Sequence, residues 1–355
     1  MSYRAKLEGF FNHHWYSAKP GTSYYFAQAV LLPLTFIFAL LSGIKRKLYQ
    51  LGLLKSYKLA VPVIVVGNIN VGGTGKTPLV IWLTKQLELA GYKPGIISRG
   101  FGGSQQGEVF NISKPQAFGD EPLLIARHSQ CPVFVGKNRV VAGQALLKMY
   151  PQCNIIISDD GLQHMQLKRD VEVAVVDSQR LFGNSHLLPA GPLRESLKRL
   201  SLVDAIVLNG DSPQSLNELH NAFVMNLQAQ YLVNLHNNQV VMTVAELSRK
   251  AEMNQLAISA VAGIGNPQRF FKQLTAMGLQ FKSQAFPDHH QFVSADFNCN
   301  SASLADDIIV MTEKDAVKCQ HFANSRMWYL PISAELPKST EFITKILTKL
   351  NTRIV

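Results

Sequence analysis

The stretch "VIVVGNINVGGTGKTPLVIWL", from Val63 to Leu83, decides the fold of this chain. Its first four residues, Val63–Val66, form a β-branched run of the kind that makes a buried strand. In the glycine-rich turn that follows, successive backbone N–H groups can point at an anion, at the positive end of the next helix. The stretch therefore predicts a strand, a phosphate-binding loop and a helix, in that order.

Two side chains of this loop have the chemistry that a bound nucleotide requires. Lys76 supplies a positive charge for the β- and γ-phosphates, and the Thr77 hydroxyl is placed to ligate Mg²⁺. The strict pattern G-x-x-x-x-G-K-[ST] has a glycine where this chain has Asn70, which tolerates left-handed backbone better than most residues. A turn that binds nothing is the alternative interpretation. The predicted nucleotide-binding residues are Asn70, Gly72, Gly73, Thr74, Gly75, Lys76 and Thr77.

Short apolar runs alternate with loops or amphipathic helices along the rest of the chain. The runs "CPVFVG", "CNIIISDDG", "VEVAVVD" and "LVDAIVLNG" indicate a mostly parallel sheet covered by helices on both faces. Gln228–Val244 holds two strand-like runs about Asn237-Asn238, which predict a hairpin and a hinge. Beyond it, "AISAVAGIG", "DIIVM" and "MWYLPIS" predict strands of a second unit.

The predicted fold class is therefore α/β. It consists of a P-loop NTPase-like domain with a mostly parallel sheet and a second, smaller α/β domain, joined by a two-stranded hairpin linker. An N-terminal hydrophobic helix precedes them. The predicted divisions are 1–45 for the membrane-associating helix, 46–227 for the P-loop domain, 228–244 for the linker and 245–355 for the smaller domain.

The charge balance and the N-terminus favour a membrane as partner. The 35 basic and 24 acidic residues give a net charge of +11, which suits nucleic acid or an anionic membrane. Residues 20–44 carry no charge and are followed by Lys45-Arg46-Lys47, the flank that a membrane interface prefers on the cytoplasmic side. Pro33 would kink this helix, so a helix lying in one leaflet is an alternative. A buried core helix is another, because globular cores also hold apolar helices. No segment has the basic, aromatic-rich face of a nucleic-acid binder, so no nucleic-acid partner is expected.

The four cysteines indicate neither disulfides nor zinc. They are scattered without any C-x-x-C spacing, which fits a reducing compartment and small buried thiols. These residues are Cys131, Cys153, Cys299 and Cys319.

Three acidic motifs supply candidate catalytic groups. "IIISDDG" ends a strand in Asp159-Asp160, where a P-loop fold puts its Mg²⁺-organising acid, although a polar turn has the same pattern. "AFGDEPLLIA" places Asp120 at the start of a helix, where a residue that only caps the helix is the alternative. "FPDHHQF" puts His289 beside Asp288, and a histidine oriented by an acid suits a proton relay, with a surface turn as the alternative.

The order of the motifs resembles one known family. "NVGGTGKTP", "ISRGFGG", "GDEP", "SDDGLQH", "GPLRE", "FPDHHQF" and "TEKDAVK", behind an apolar helix, are similar to the tetraacyldisaccharide 4'-kinases, the lipid A kinases of Gram-negative bacteria. The resemblance implies transfer of the ATP γ-phosphate to the 4'-hydroxyl of a tetra-acylated glucosamine disaccharide 1-phosphate. It places this reaction at the cytoplasmic face of the inner membrane, with ATP and Mg²⁺ as cofactors and the lipid A disaccharide precursor as partner.

The resemblance also implies roles for particular residues. Asp159 and Asp160, with Thr77, are expected to hold magnesium, and Asp120 with His289 to act as the catalytic base. Phe101 stands where the family pattern "SRGYGG" has tyrosine, so a hydroxyl contact from that position is not expected. The expected substrate-binding residues are Gln163, His164 and Arg194.

Two other classes of protein share parts of this pattern. A membrane-surface ATPase of the deviant P-loop type would position partners without phosphorylating a small molecule, but its signature lysine would stand at Val71. A GTPase would read guanine with N/T-K-x-D, and in "TEKD", Thr312–Asp315, the lysine is one place late.

Overall fold

The computed structural model describes residues 9–11, 14–16, 21–211, 222–297 and 307–352. Cys299 therefore lies outside the described residues, whereas the other three cysteines are free thiols. From Thr22 to Gln228, the helices and strands of the described ranges are, in chain order, α1 Thr22–Gln50, β1 Val63–Gly67, α2 Lys76–Leu89, β2 Pro94–Ser98, β3 Gly107–Glu108, α3 Pro115–Phe118, α4 Asp120–His128, β4 Val133–Val135, α5 Arg139–Met149, β5 Ile155–Asp159, β6 Val171–Asp177, β7 Ala205–Asn209 and β8 Ala222–Gln228.

A second set of elements follows along the chain. These are β9 Leu232–Asn234, β10 Val241–Met242, α6 Val244–Met253, β11 Ile258–Ala262, α7 Pro267–Ala276, β12 Lys282–Ala285, β13 Ile308–Thr312, α8 Glu313–Cys319, β14 Met327–Leu330, β15 Ser333–Glu335 and α9 Ser339–Asn351. Short 3-10 turns occupy Leu197–Leu202, Ser294–Phe297 and Gln320–Phe322.

The first sheet has nine strands in the order β15-β8-β7-β6-β1-β5-β2-β4-β3. Strand β1 is fully buried and lies between β5 and β6, parallel to both. Its register pairs Val66 with Asp159, so the carboxyl ends of β1 and β5 meet at one edge of the sheet. Ligands of open α/β sheets bind at this edge, and the phosphate loop begins there. The predicted mostly parallel α/β architecture is confirmed.

The second sheet has six strands in the order β10-β9-β14-β13-β11-β12. Its central strands β11, β13 and β14, which the apolar runs predicted as strands, are parallel. The predicted hairpin is present as β9 and β10, which pair antiparallel at the edge of this second sheet.

The chain passes between the two sheets twice, once after β8 and once before β15. These two strands pair antiparallel at the edge of the first sheet, with Ala334 opposite Leu227. Helix α9 follows β15 and buries Phe342 and Ile346 in the core of the first sheet. The chain's last elements thus belong with the first sheet, whereas the sequence assigned all of residues 245–355 to the smaller unit. Their apolar face matches either sheet, so the sequence pattern could not choose between them.

Helix α1 stands out from the body with an apolar, exposed surface. It is long and apolar enough to cross a membrane, with a mean hydropathy of 2.0 and only 11% of that stretch buried. Pro33 lies inside a single helix. Thr35 fixes α1 to the body, because its hydroxyl donates to Leu187 O and accepts from Ala190 N. The large side chains exposed on α1 are Tyr25, Phe26, Val30, Leu32, Leu34, Phe36, Ile37, Leu40, Leu41 and Ile44.

Candidate active site

The phosphate loop is held by a residue from a distant strand. Gly75 precedes α2 with a φ of +91°, and a Cβ at this position would lie 2.2 Å from Nδ2 of Asn209. That amide donates a hydrogen bond to Thr74 O at 3.0 Å, so it supports the backbone of the loop. Only glycine combines the left-handed conformation with this close approach.

Asn70, the departure from the strict loop pattern, has a structural contact. Its Nδ2 donates to Leu181 O at 2.6 Å, and its backbone bridges to Leu193. The side chain is buried, so it ties the start of the loop to the segment after β6.

Asp160 lies between Lys76, which is expected to bind the nucleotide, and Arg194, which is expected to bind the substrate. Its carboxylate is 3.4 Å from Nζ of Lys76 and 3.2 Å from Nη1 of Arg194. Burial alone would raise the pKa of Asp160, but these two charges lower it to about 2. Asp160 also has a φ of 48°, a left-handed conformation that is uncommon for non-glycine residues but that aspartate adopts more readily than most.

Asp159 is the more deeply buried of the two aspartates, and one of its carboxylate oxygens has no hydrogen-bond partner among the described residues. Oδ2 accepts from Ser98 Oγ at 3.2 Å, whereas Oδ1 is buried without a hydrogen-bond partner among the described residues. Burial, with Glu121 as a further cause, raises the pKa of Asp159 to about 7. A buried carboxylate with a free oxygen beside a phosphate loop is a suitable magnesium ligand.

The protein supplies only part of a magnesium ligand set. Within the described ranges no three His, Cys, Asp or Glu side chains converge closely enough to hold a metal by themselves. Mg²⁺ usually takes one or two carboxylates together with substrate phosphates and waters. The Thr77 hydroxyl and the two carboxylates of Asp159 and Asp160 fit that kind of site.

Asp120 and His289 are in contact, although they are far apart in sequence: Asp120 begins α4, which precedes β4 of the first sheet, and His289 lies in the turn after β12 of the second. Nδ1 of His289 lies 3.1 Å from Oδ2 of Asp120. Burial would raise the pKa of Asp120, but Lys314 and the hydrogen bond from His289 hold it below its ordinary value. Burial would lower the pKa of His289, but the bond to Asp120 raises it above 6.5. His289 has a φ of 60° and packs 5.0 Å from the ring of Phe101.

Two charged residues of this site were not among the predicted catalytic groups. Glu121 lines the cleft, and its Oε1 is 2.9 Å from Nζ of Lys314. The motifs "GDEP" and "TEKDAVK" contain these residues, but their spacing in sequence gives no sign that they meet.

The "TEKD" segment, which partly resembles a guanine-reading motif, has a structural role in this protein. Thr312 caps α8 by accepting from Asp315 N. Asp315 is fully buried, pairs with Lys318 at 2.7 Å and accepts from Gly263 N at 2.9 Å. Its carboxylate is therefore not available to a base.

One cleft joins these groups to helix α1. It has a volume of about 810 Å³, and its lining includes Lys76, Asp160 and His289. The lining also includes the apolar side chains of Phe38 and Leu41 of α1. The charged side chains and the hydrophobic helix α1 therefore line one continuous cleft. The other aromatic and apolar lining residues are Phe11, Trp15, Val71, Phe101, Met165 and Leu188.

The three expected substrate-binding residues occupy different positions. Gln163 and Arg194 line the cleft, and His164 lies outside its lining. Burial and nearby arginines lower the pKa of His164 to about 4, and its Nε2 has no hydrogen-bond partner among the described residues. Gln163 donates to Glu195, which also pairs with Arg46 of α1, so the helix is joined directly to the "GPLRE" segment.

Comparison with known proteins identifies the family. The profile of the Tetraacyldisaccharide-1-P 4'-kinase family (LpxK) matches residues 27–351. The tetraacyldisaccharide 4'-kinase of Methylobacillus flagellatus is 48% identical over 91% of this chain and 92% of its own length. That of Nitrosococcus oceani is 44% identical over 92% of this chain and 90% of its own length.

A solved structure agrees with these relatives. LpxK from Aquifex aeolicus, crystallised in complex with ATP, superposes with a TM-score of 0.70 at 26% identity. The alignment covers 91% of this chain and 99% of that one. The resemblance drawn from the motifs is confirmed, and the deviant ATPase is not favoured. This chain belongs to the tetraacyldisaccharide-1-P 4'-kinase family.

Proposed function

We propose that this enzyme transfers the γ-phosphoryl group of ATP to the 4'-hydroxyl of a tetra-acylated glucosamine disaccharide 1-phosphate, a step of lipid A biosynthesis. One observation carries the proposal: a single cleft connects the phosphate loop and the Asp120–His289 pair with the apolar surface of α1. Such a cleft suits a substrate with an anionic sugar head and acyl chains.

The loop residues bind and orient the nucleotide. Backbone N–H groups of Gly72–Thr77 face the phosphates, and Lys76 places a positive charge on the γ-phosphoryl group as negative charge shifts in the transition state. Thr77, Asp159 and Asp160 would hold Mg²⁺, which neutralises phosphate charge when bound. Arg194 keeps Asp160 ionised and in place through their 3.2 Å contact.

His289 and Asp120 activate the acceptor. His289 lines the cleft and Asp120 is buried, so we assign His289 the contact with the 4'-hydroxyl and Asp120 the orientation of the ring. The hydroxyl oxygen forms a bond to the γ-phosphorus while its proton passes to the histidine, and ADP leaves. Asp120 stabilises the imidazolium that results, as paired catalytic groups do in general.

The remaining lining residues contact different parts of the substrate. Gln163 and Arg194 line the cleft and face the sugar head. Phe38, Leu41 and the other apolar lining residues face the acyl chains. His164 lies outside the lining, so we give it a role in supporting the "DDGLQH" turn rather than a direct contact.

The membrane arrangement follows from α1. We place α1 in the inner membrane and the body at its cytoplasmic face, because ATP is cytoplasmic and Lys45-Arg46-Lys47 follow the apolar stretch. The domain division that we propose follows the sheets, so that β15 and α9 move with the P-loop domain. The second sheet, which carries His289, is the smaller unit.

The test is a comparison of ATP consumption with and without the lipid disaccharide, with the product analysed for an added phosphate. Stoichiometric ADP and 4'-phosphorylated lipid are expected only when the lipid is present. Hydrolysis of comparable rate without lipid, and no phosphorylated product, would refute the kinase and favour the deviant P-loop ATPase. A matched variant, Lys76→Ala, should remove both signals if the loop is the site.

A further inference from the structure

The ammonium group of Lys314 lies among three carboxylates. Its Nζ is 2.9 Å from Oε1 of Glu121, 3.5 Å from Oδ1 of Asp288 and 3.9 Å from Oδ2 of Asp120. The Lys314 side chain is only 17% exposed, so these interactions are screened less by solvent and salt than those of a surface pair.

These contacts connect the two sheets at the catalytic pair. Asp120 and Glu121 begin α4, which precedes β4 of the first sheet, whereas Lys314 lies in the first turn of α8, which follows β13 of the second. Asp288 immediately precedes His289, whose ring bonds Asp120. Lys314 therefore touches the partner of the catalytic histidine on one side and the neighbour of that histidine on the other.

We propose that Lys314 is a positioning residue for phosphoryl transfer, which holds Asp120 and Asp288 so that His289 keeps one orientation and accepts a proton at neutral pH. Lys314 does not line the cleft, so it acts through these residues and not by touching the substrate. The inference rests on the proposed function, because it assigns a role within that reaction.

The positive charge of Lys314 predicts the direction in which the pKa values of its neighbours change when it is removed. Lys314 lowers the pKa of His289 and of Asp120. The other charged groups that face Asp120 and Lys314 are Glu121 and Asp288 among the acids and Lys318 among the bases. Removing the ammonium leaves the negative charges unbalanced. Both pKa values should then rise, and His289 should stay protonated to higher pH.

The experiment measures kcat/KM for lipid phosphorylation from pH 5 to pH 10 in the full-length enzyme and three variants. Lys314→Met should move the acid limb up by about one pH unit, which costs up to roughly tenfold at pH 7 and is recovered near pH 9. Lys314→Arg keeps the charge and should restore the wild-type profile. KM for ATP should not change in either variant.

Glu313→Gln is the matched control. Glu313 Oε1 lies 2.6 Å from Nε2 of His128, so it joins the same two helices without contacting the catalytic pair. Its loss should weaken the contact between the sheets and leave the acid limb where it is. The control separates a positioning role from general support of the interface.

Two results would overturn the inference. One is an acid limb that does not move in Lys314→Met, and the other is a pH-independent loss that Glu313→Gln reproduces. If Lys314→Met does not fold, NMR titration of His289 in Lys314→Gln decides, and an unshifted imidazole rejects the role. Failure of the wild-type enzyme to phosphorylate the lipid would reject the proposed function itself, which is a different outcome.

Discussion

The contact between Asp120 and His289 predicts a particular kind of non-additivity. Their hydrogen bond of 3.1 Å joins a buried carboxylate to a half-buried ring, and each group changes the pKa of the other. If they act as one unit, removing the histidine removes most of what the aspartate contributes. We therefore expect the double variant to be little worse than the more damaging single variant.

The magnitudes follow from the geometry. A general base contributes roughly 10²- to 10⁴-fold, so His289→Ala should lower kcat by that factor. A hydrogen bond to a charged group contributes about 1.5–3 kcal/mol, which corresponds to roughly 10- to 150-fold for Asp120→Asn. Independent effects would multiply to roughly 10³- to 10⁶-fold, whereas a coupled pair should stay within about threefold of His289→Ala.

The assay is single-turnover transfer of labelled phosphate to the lipid, because product release could hide losses in steady-state kcat. His290→Gln is the control, since this neighbouring histidine pairs with Asp296 at 2.9 Å and not with Asp120. Multiplicative losses, or losses confined to KM, would refute the coupled pair.

Four further predictions follow from the same structure. Lys76→Ala should lower kcat by roughly 10²-fold or more, since it removes a charge from the transferred phosphoryl group; undiminished turnover would place the active loop elsewhere. Gly75→Ala should weaken ATP binding more than tenfold by calorimetry, because its Cβ would lie 2.2 Å from the Asn209 amide; an unchanged Kd would contradict the support we describe. The acid limb of kcat/KM should lie above pH 6.5, the ordinary pKa of histidine, because Asp120 raises the pKa of His289 and the base must be neutral; a limb below that value would exclude His289 as the base. Deletion of residues 1–45 should move the protein to the soluble fraction and weaken action on substrate in bilayers; unchanged sedimentation with membranes would place the anchor in the body.

Local features of the site could be predicted from sequence because each is contained in a short segment. The strand, loop and helix around Lys76 need only the residues from Val63 to Leu83. The Asp159-Asp160 motif ends a strand whose apolar run is evident, and parallel pairing with β1 brings it to the loop. Periodicity and turn chemistry are sufficient for such segments.

Contacts between distant segments could not be read in this way. The pairing of Asp120 with His289 was expected only through the family resemblance, since 169 positions separate them. The carboxylates around Lys314 gave no sequence signal at all, because their distances depend on how two sheets pack. The return of β15 and α9 to the first sheet was missed for the same reason.

Two of the contacts that attach α1 to the body limit how this helix can move. Thr35 bonds the segment from Leu187 to Ala190, and Arg46 pairs with Glu195. These anchor points are about three helical turns apart, roughly 16 Å along the axis. A rod fastened at two such points cannot pivot on its own. Any tilt or shift of α1 is therefore transmitted to the whole body, and the mouth of the cleft keeps a fixed position relative to the helix.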